Sequence, residues 1–261
     1  MKGERRPGIL FLHGNGADMR ELEDGEADLV LTGPPYFTPE TEELLRRPRA
    51  HQTEALTVRG QVVEFACSLR PVFQECARVL RPGGVVVIQT RDLRYGDFLL
   101  GPADVHREIL EGVGLLPVTD VAWLSRPRKD RRSPFLTKPV VGGFRADDGE
   151  RFCVYSKPEG VRRTNEKVAA AAGRPEALVD PVWRMPGAGG SRTHPHESPP
   201  SVIRRFIELF SRPGDLVVDP FAGHGTTLRV CRQMGRRAVG YEIDRACFEQ
   251  GLRRFERRRE T

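Results

Sequence analysis

One stretch near the C-terminus constrains this chain more than any other: Val217-Val218-Asp219-Pro220-Phe221-Ala222-Gly223-His224-Gly225-Thr226-Thr227. Leu216, Val217 and Val218 form an unbroken apolar run, as a strand covered on both faces requires, and Asp219 falls where that strand would end. Gly223 and Gly225 permit positive φ and close backbone approach. Thr226 and Thr227 open a helical pattern through Leu228, Val230, Cys231 and Met234, stopped at Gly235. A ligand over such a turn would meet free N–H groups and the positive end of a helix dipole at the carboxyl end of a strand. A second strand, 237–242, ends in Glu242 about twenty residues beyond the glycines, where a carboxylate can accept two hydrogen bonds from a ribose diol. No Gly-Lys-Ser/Thr follows, so this is not a phosphate-binding P-loop, and the third glycine of a dinucleotide fingerprint is missing. Taken alone, the glycine pair fits a plain tight turn as well as a nucleoside site.

The rest of the chain alternates strands with helices. Strand patterns fall at 9–12, 28–32, 85–89, 115–124 and 152–155. An amphipathic helix spans 62–80, with Pro71 set to kink or divide it and Pro82-Gly83-Gly84 to stop it. Further helices are predicted at 102–111, 165–172, 201–210 and 245–258. The polar, Arg- and Thr-rich segment 38–60 has the composition of a surface loop. This alternation predicts an α/β fold, a mostly parallel mixed sheet with helices on both faces. The 261 residues suffice for one large domain, with 126–194 as a candidate inserted lobe.

Net charge is +6, carried by 37 Arg against five Lys. The guanidinium fork suits phosphate and guanine, so a polyanionic partner is favoured, although a general bias towards Arg accounts for part of the excess. The basic run Arg126, Arg128, Lys129, Arg131 and Arg132 is a candidate phosphate contact, or simply a solvated face. The five cysteines form no Cys-x-x-Cys pair and no cluster with His, which argues against a metal site and for reduced thiols in a cytoplasm. No apolar run has the length of a signal peptide core or a membrane span.

A second motif, Thr32-Gly33-Pro34-Pro35-Tyr36-Phe37, follows the strand at 28–32. Two prolines stiffen the backbone and leave the Pro34 carbonyl without a local donor. A preorganised carbonyl beside an aromatic face is what an exocyclic amine on a nucleobase needs. Hydrogen bonds from the amine to fixed acceptors draw its nitrogen towards tetrahedral geometry and stabilise the positive charge that develops during attack. Tyr36 would stack on the extruded base.

Four segments together resemble the DNA amino-methyltransferases: 28–36, Arg78-Val79-Leu80-Arg81-Pro82-Gly83-Gly84, the 219–227 turn, and Gly240-Tyr241-Glu242-Ile243-Asp244. That family methylates N4 of cytosine or N6 of adenine using S-adenosylmethionine. The catalytic motif precedes the cofactor motif, as in the permuted β subclass, with a catalytic half at 9–125 and a cofactor half at 195–258 of a single domain, 1–261. The resemblance implies a circularly permuted Rossmann-like methyltransferase fold, with 126–194 as a target-recognition lobe. It also implies roles. Gly33, Pro34, Pro35 and Tyr36 would form the catalytic loop. Thr32, Asp219, Pro220, Phe221, Ala222, Gly223, Gly225, Thr226 and Thr227 would surround the cofactor, and Glu242 would bind its ribose. His194 would lie near the carboxylate, and Asn15 or Asp18 would take the adenine amino group.

One departure stands out: the family carries Ser, Asp or Asn where this chain has Gly33. A neighbour or water replaces the lost acceptor, or the enzyme is slow or inactive; loss of one such bond costs on the order of 10²–10³ in rate. The flanking Thr-x-Pro-Pro-Tyr-Phe is most similar to the cytosine-N4 branch, with adenine-N6 as the alternative. Cytosine-C5 chemistry is a poor fit, because no Cys follows a Pro. The implied partner is double-stranded DNA. A cognate restriction endonuclease and a homodimer are features of some relatives that the residues leave open.

Overall fold

The computed structural model describes residues 3–6, 8–35, 52–90, 93–95, 98–124, 149–159, 181–185 and 198–256. In chain order these form β1 (Gly3–Arg6), β2 (Ile9–His13), β3 (Ala27–Thr32), α1 (Gln52–Ser68), α2 (Arg70–Val79), β4 (Leu80–Thr90), β5 (Leu93–Tyr95), β6 (Phe98–Leu100) and α3 (Pro102–Gly112). They continue with β7 (Leu116–Leu124), β8 (Gly149–Ser156), β9 (Val182–Arg184), α4 (Pro200–Phe210), β10 (Leu216–Asp219), α5 (Thr226–Gln233), β11 (Arg237–Glu242) and α6 (Arg245–Glu256).

The described strands build a nine-stranded sheet in the order β1-β2-β11-β10-β3-β4-β8-β7-β9, with β5 and β6 as a separate hairpin. Its centre, β2-β11-β10-β3-β4, is wholly parallel. Antiparallel β1 flanks one side, and β8 enters antiparallel between β4 and β7 on the other. This is the mixed, mostly parallel sheet expected from the alternation, in a Rossmann-like arrangement.

The central strands are apolar on both sides because both faces are covered. Leu29, Leu31, Val85, Val87 and Val217 point to one face, where Val202 and Phe206 of α4, Leu228 of α5 and Phe248 of α6 close the core. Val30, Val86, Ile88 and Val218 point to the other, beneath Val72, Phe73 and Cys76 of α2 and Ile109 and Leu110 of α3. At the amino ends, the Asp28 carboxylate accepts the Leu216 N–H at 2.9 Å and the Arg81 Nε–H at 2.6 Å, tying β10, β3 and β4 together.

Three expectations are corrected and one is borne out. Residues 52–60 are helical rather than loop: Val58, Val62 and Ala66, at a spacing of four, bury one face of α1, while Thr57 and Arg59 are exposed. Pro71 does divide the helix, at Leu69, and sits in the first turn of α2, where its missing N–H costs nothing. Pro82-Gly83-Gly84 ends no helix; it lies inside β4, which pairs with β3 from Leu80 onward across a register shift. A Cβ on Gly84 would come within 2.8 Å of the Leu80 side chain, so the irregularity needs glycine there. Finally, β1 (Gly-Glu-Arg-Arg) carries no apolar pattern and is a strand only because it adds to the edge of β2. Within 126–194, β8 and β9 belong to the main sheet; the helix expected at 165–172 lies outside the described residues.

Candidate active site at the carboxyl ends of β3 and β10

The central strands β10 and β3 lie side by side, and the chain leaves them in opposite directions, β10 towards β11 and β3 towards β4. Their carboxyl ends form the switch point where open α/β sheets bind ligands. The Thr32 hydroxyl donates to Asp219 Oδ1 at 2.7 Å there, across 187 residues of sequence. The same oxygen accepts the Phe221 N–H at 3.2 Å. Asp219 is 4% exposed and Thr32 3%. Burial pushes the Asp219 carboxyl up to about 6; the Thr32 and Thr227 hydroxyls and the Phe221 N–H hold it back, and the nearby Glu242 charge adds to the rise.

The glycine turn is built as its sequence suggested, and three of its amides have acceptors within the chain. Ala222 N–H donates to the Tyr241 carbonyl, Gly225 N–H to the Ala222 carbonyl and Gly223 N–H to Glu242 Oε2, at 2.9, 2.7 and 2.7 Å. At these three positions a ligand would therefore meet bonded amides and, at Gly223, the Glu242 carboxylate. Gly223 and Gly225 have φ of 53° and 72°, where side chains are strained. A Cβ on Gly223 would meet nothing within 4 Å, so the turn borders an open cradle, whereas one on Gly225 would strike the Phe255 ring at 2.8 Å. Pro220, Ala222, Thr226 and Thr227 are buried, and Phe221 is half-buried.

Glu242 is anchored by the Gly223 N–H on Oε2 and the Asp244 N–H on Oε1, 2.8 Å away, and each oxygen keeps a lone pair directed elsewhere. The adjoining Ile243 is 67% exposed, an apolar face beside the carboxylate that sequence reasoning passed over. The loop after β2 closes this side. Gly14 N–H donates to the Glu242 carbonyl at 3.0 Å, and the His13 Nε2 proton to the Ile243 carbonyl at 3.1 Å. Gly16 packs so closely on Pro220 that a Cβ would lie 2.7 Å from it. Each candidate for an adenine amine contact already has one partner within the chain. Asn15 Oδ1 accepts the Ala17 N–H at 3.0 Å, and Asp18 pairs with Arg20, whose hydrogen bond holds its carboxyl below the usual range.

The third dinucleotide-type glycine has a spatial substitute. In such turns it lets the helix approach the sheet. Here Gly240 does so from β11: its Cβ would lie 2.6 Å from Leu228 Cδ1 on α5.

Across the switch point, Gly33 and Pro35 are exposed and Pro34 is buried. Against Gly33 stands Gln89, at the carboxyl end of β4 and 5% exposed. Its Nε2 donates to Glu150 and its Oε1 accepts from Ser198. A lone amide ending the apolar run Val85-Val86-Val87-Ile88 was the available signal for it. Tyr36, His194, Arg126, Arg128, Lys129, Arg131 and Arg132 lie outside the described residues.

A family model described as DNA methylase, for N6 and N4 methyltransferases, matches residues 27–253. The chain belongs to this DNA methylase family. The type II methyltransferase M.MjaI of Methanocaldococcus jannaschii is 28% identical to it over 91% of this chain and 87% of its own length. A Thermus thermophilus protein described as a DNA modification methylase, crystallised with S-adenosyl-L-methionine, shares its fold. The TM-score is 0.67 at 23% identity, covering 95% of this chain and 94% of that one. The PvuII DNA methyltransferase, described as cytosine-N4-specific, superposes with a TM-score of 0.70 at 19% identity over 95% and 86% of the two chains. The methylase fold thus accounts for both loops that meet at Thr32 and Asp219.

Proposed function

We propose that this methylase transfers a methyl group from S-adenosylmethionine to the exocyclic N4 of a cytosine flipped out of a specific double-stranded DNA site. The observation that carries the reading is the Thr32–Asp219 hydrogen bond, which joins the Pro-Pro loop to the glycine turn over one sheet edge. The residues fit the donor. The open side of Gly223 leaves room for it, Glu242 offers two anchored acceptors for a ribose diol, and Ile243 offers an apolar face for a purine ring. Bound there, the donor supplies a methyl on a sulfonium sulfur, whose C–S electron pair stays with sulfur as the new C–N bond forms.

The remaining work belongs to the chain. Asp219 and Thr32 hold the two loops in register. The Pro34 carbonyl accepts one N–H of the target amine, so that its lone pair is turned towards the methyl. Tyr36 stacks on the flipped base, and Arg126, Arg128, Lys129, Arg131 and Arg132 contact phosphates within a target-recognition segment at 126–194. The choice of cytosine rests on the likeness of Thr32-Gly33-Pro34-Pro35-Tyr36-Phe37 to the N4 branch and on the shared fold of the PvuII enzyme.

The test is transfer of labelled methyl into mixed-sequence double-stranded DNA, followed by mass spectrometry of the nucleosides. N4-methylcytosine is expected. N6-methyladenine alone would overturn the base assignment, and label entering RNA or protein but not DNA would overturn the substrate class.

A further inference from the structure

Methylating an amine with two N–H groups requires two acceptors if its lone pair is to be freed from the ring. The loop offers one, the Pro34 carbonyl. Among the described side chains of the loop none is placed to serve: Thr32 is 3% exposed with its hydroxyl bonded to Asp219, Gly33 has no side chain, and neither proline ring carries an acceptor. Among the described residues, the side of Gly33 where a Cβ would stand is lined by Gln89, with Oε1 at 3.3 Å and Cβ at 3.6 Å from that position. A hydroxyl or short carboxyl chain at position 33 would reach into the same space.

We infer that Gln89 is a catalytic residue of the proposed transfer, its Oε1 accepting the second N–H of the target amine in the space beside Gly33. The side chain is built for a fixed acceptor. It is buried, it stands at the carboxyl end of the strand beside β3, and its amide orientation is set from both ends. Nε2 donates to Glu150, which turns the oxygen towards Ser198 and the loop, and Oε1 accepts from the Ser198 hydroxyl. An amide oxygen has two lone pairs, so it can accept from Ser198 and from the substrate together. A held dipole of this kind needs no reorientation when positive charge appears on the nitrogen. As the C–N bond forms, the nitrogen sheds one proton to water, and Gln89 keeps its bond to the hydrogen that stays.

The inference rests on the amino-methyltransferase reading, and its test separates the two. Single-turnover methyl transfer to DNA is measured for the full chain, Gln89→Met, Ser198→Ala, Gly33→Ser and the double variant Gly33→Ser/Gln89→Met, with S-adenosylmethionine affinity measured alongside by calorimetry. Gln89→Met is expected to lose on the order of 10²-fold in rate with cofactor affinity nearly unchanged, and adding Gly33→Ser to regain at least about tenfold. Ser198→Ala, which leaves the oxygen in place, is expected to cost at least about tenfold less than Gln89→Met. Equal losses in Gln89→Met and Ser198→Ala would reduce Gln89 to a scaffold and overturn the inference. So would a gain on the order of 10²-fold from Gly33→Ser alone, because it would mean that no acceptor had stood there; this outcome is readable even if Gln89→Met fails to fold. If neither the parent chain nor Gly33→Ser methylates any DNA, the function proposed above fails and takes Gln89 with it.

Discussion

Replacing Thr32 with Val tests the bond that joins the two halves of the site. Valine keeps the branched shape at the end of β3 and removes the hydroxyl that donates 2.7 Å to Asp219. The buried carboxyl then loses one of its donors. A hydrogen bond to a charged group is worth about 1.5–3 kcal/mol and one between neutral groups about 0.5–1.5, so the cost depends on whether Asp219 is ionised. Its folded value of about 6 lies above the ordinary carboxyl value. Protonated Asp219 therefore favours the folded state. That contribution is fully present below about pH 4 and is lost as pH rises through about 6. Removing a donor pushes the carboxyl higher still, so the added penalty falls on the alkaline side. Urea unfolding should show Thr32→Val less stable by about 2 kcal/mol at pH 8, where Asp219 is charged, and by about 1 kcal/mol at pH 5, with an unchanged m-value. Equal losses at the two pH values, or a larger loss at pH 5, would refute the claim that the hydroxyl serves the ionised carboxylate.

Other expectations concern the two loops separately. Gly240→Ala places a methyl 2.6 Å from Leu228 Cδ1, and overpacking of this kind should cost about 1–3 kcal/mol in denaturant unfolding; a neutral result would mean that α5 lifts freely off β11. Glu242→Ala removes both the acceptor offered to a ribose and the partner of the Gly223 N–H, and should weaken S-adenosylmethionine binding in calorimetry by about tenfold or more. Tyr36→Ala should abolish transfer while leaving cofactor affinity nearly intact; equal turnover in the variant would remove the base-stacking role.

The motifs were legible because each is local. A strand that ends in Asp219, two glycines needing positive φ, and an acid at the end of the next strand are short-range requirements of one β-turn-α-β unit, and they appear where expected. The same holds for the split of the long helix at Leu69, since a proline acts on its own backbone. Segment 52–60 was misread because its polar composition hid Val58, which continues the helical spacing of Val62 and Ala66 and whose burial depends on what packs above it. β1 was missed because an edge strand takes its pairing from a neighbour and needs no apolar pattern of its own.

Sequence alone thus determined the chemistry each loop carries: rigid carbonyls after β3, a cofactor-type turn after β10, and a carboxylate after β11. Tertiary structure decided which of those groups remain available. The parallel pairing of β3 with β10 brings Thr32 to Asp219 from 187 residues away, that of β10 with β11 gives the Ala222 and Gly223 amides their acceptors, and that of β3 with β4 sets Gln89 beside the bare backbone of Gly33. Such relations are invisible along the chain because hydrogen bonds and steric contacts depend on distances of a few ångströms. Only the register of neighbouring strands sets those distances between residues so far apart in sequence.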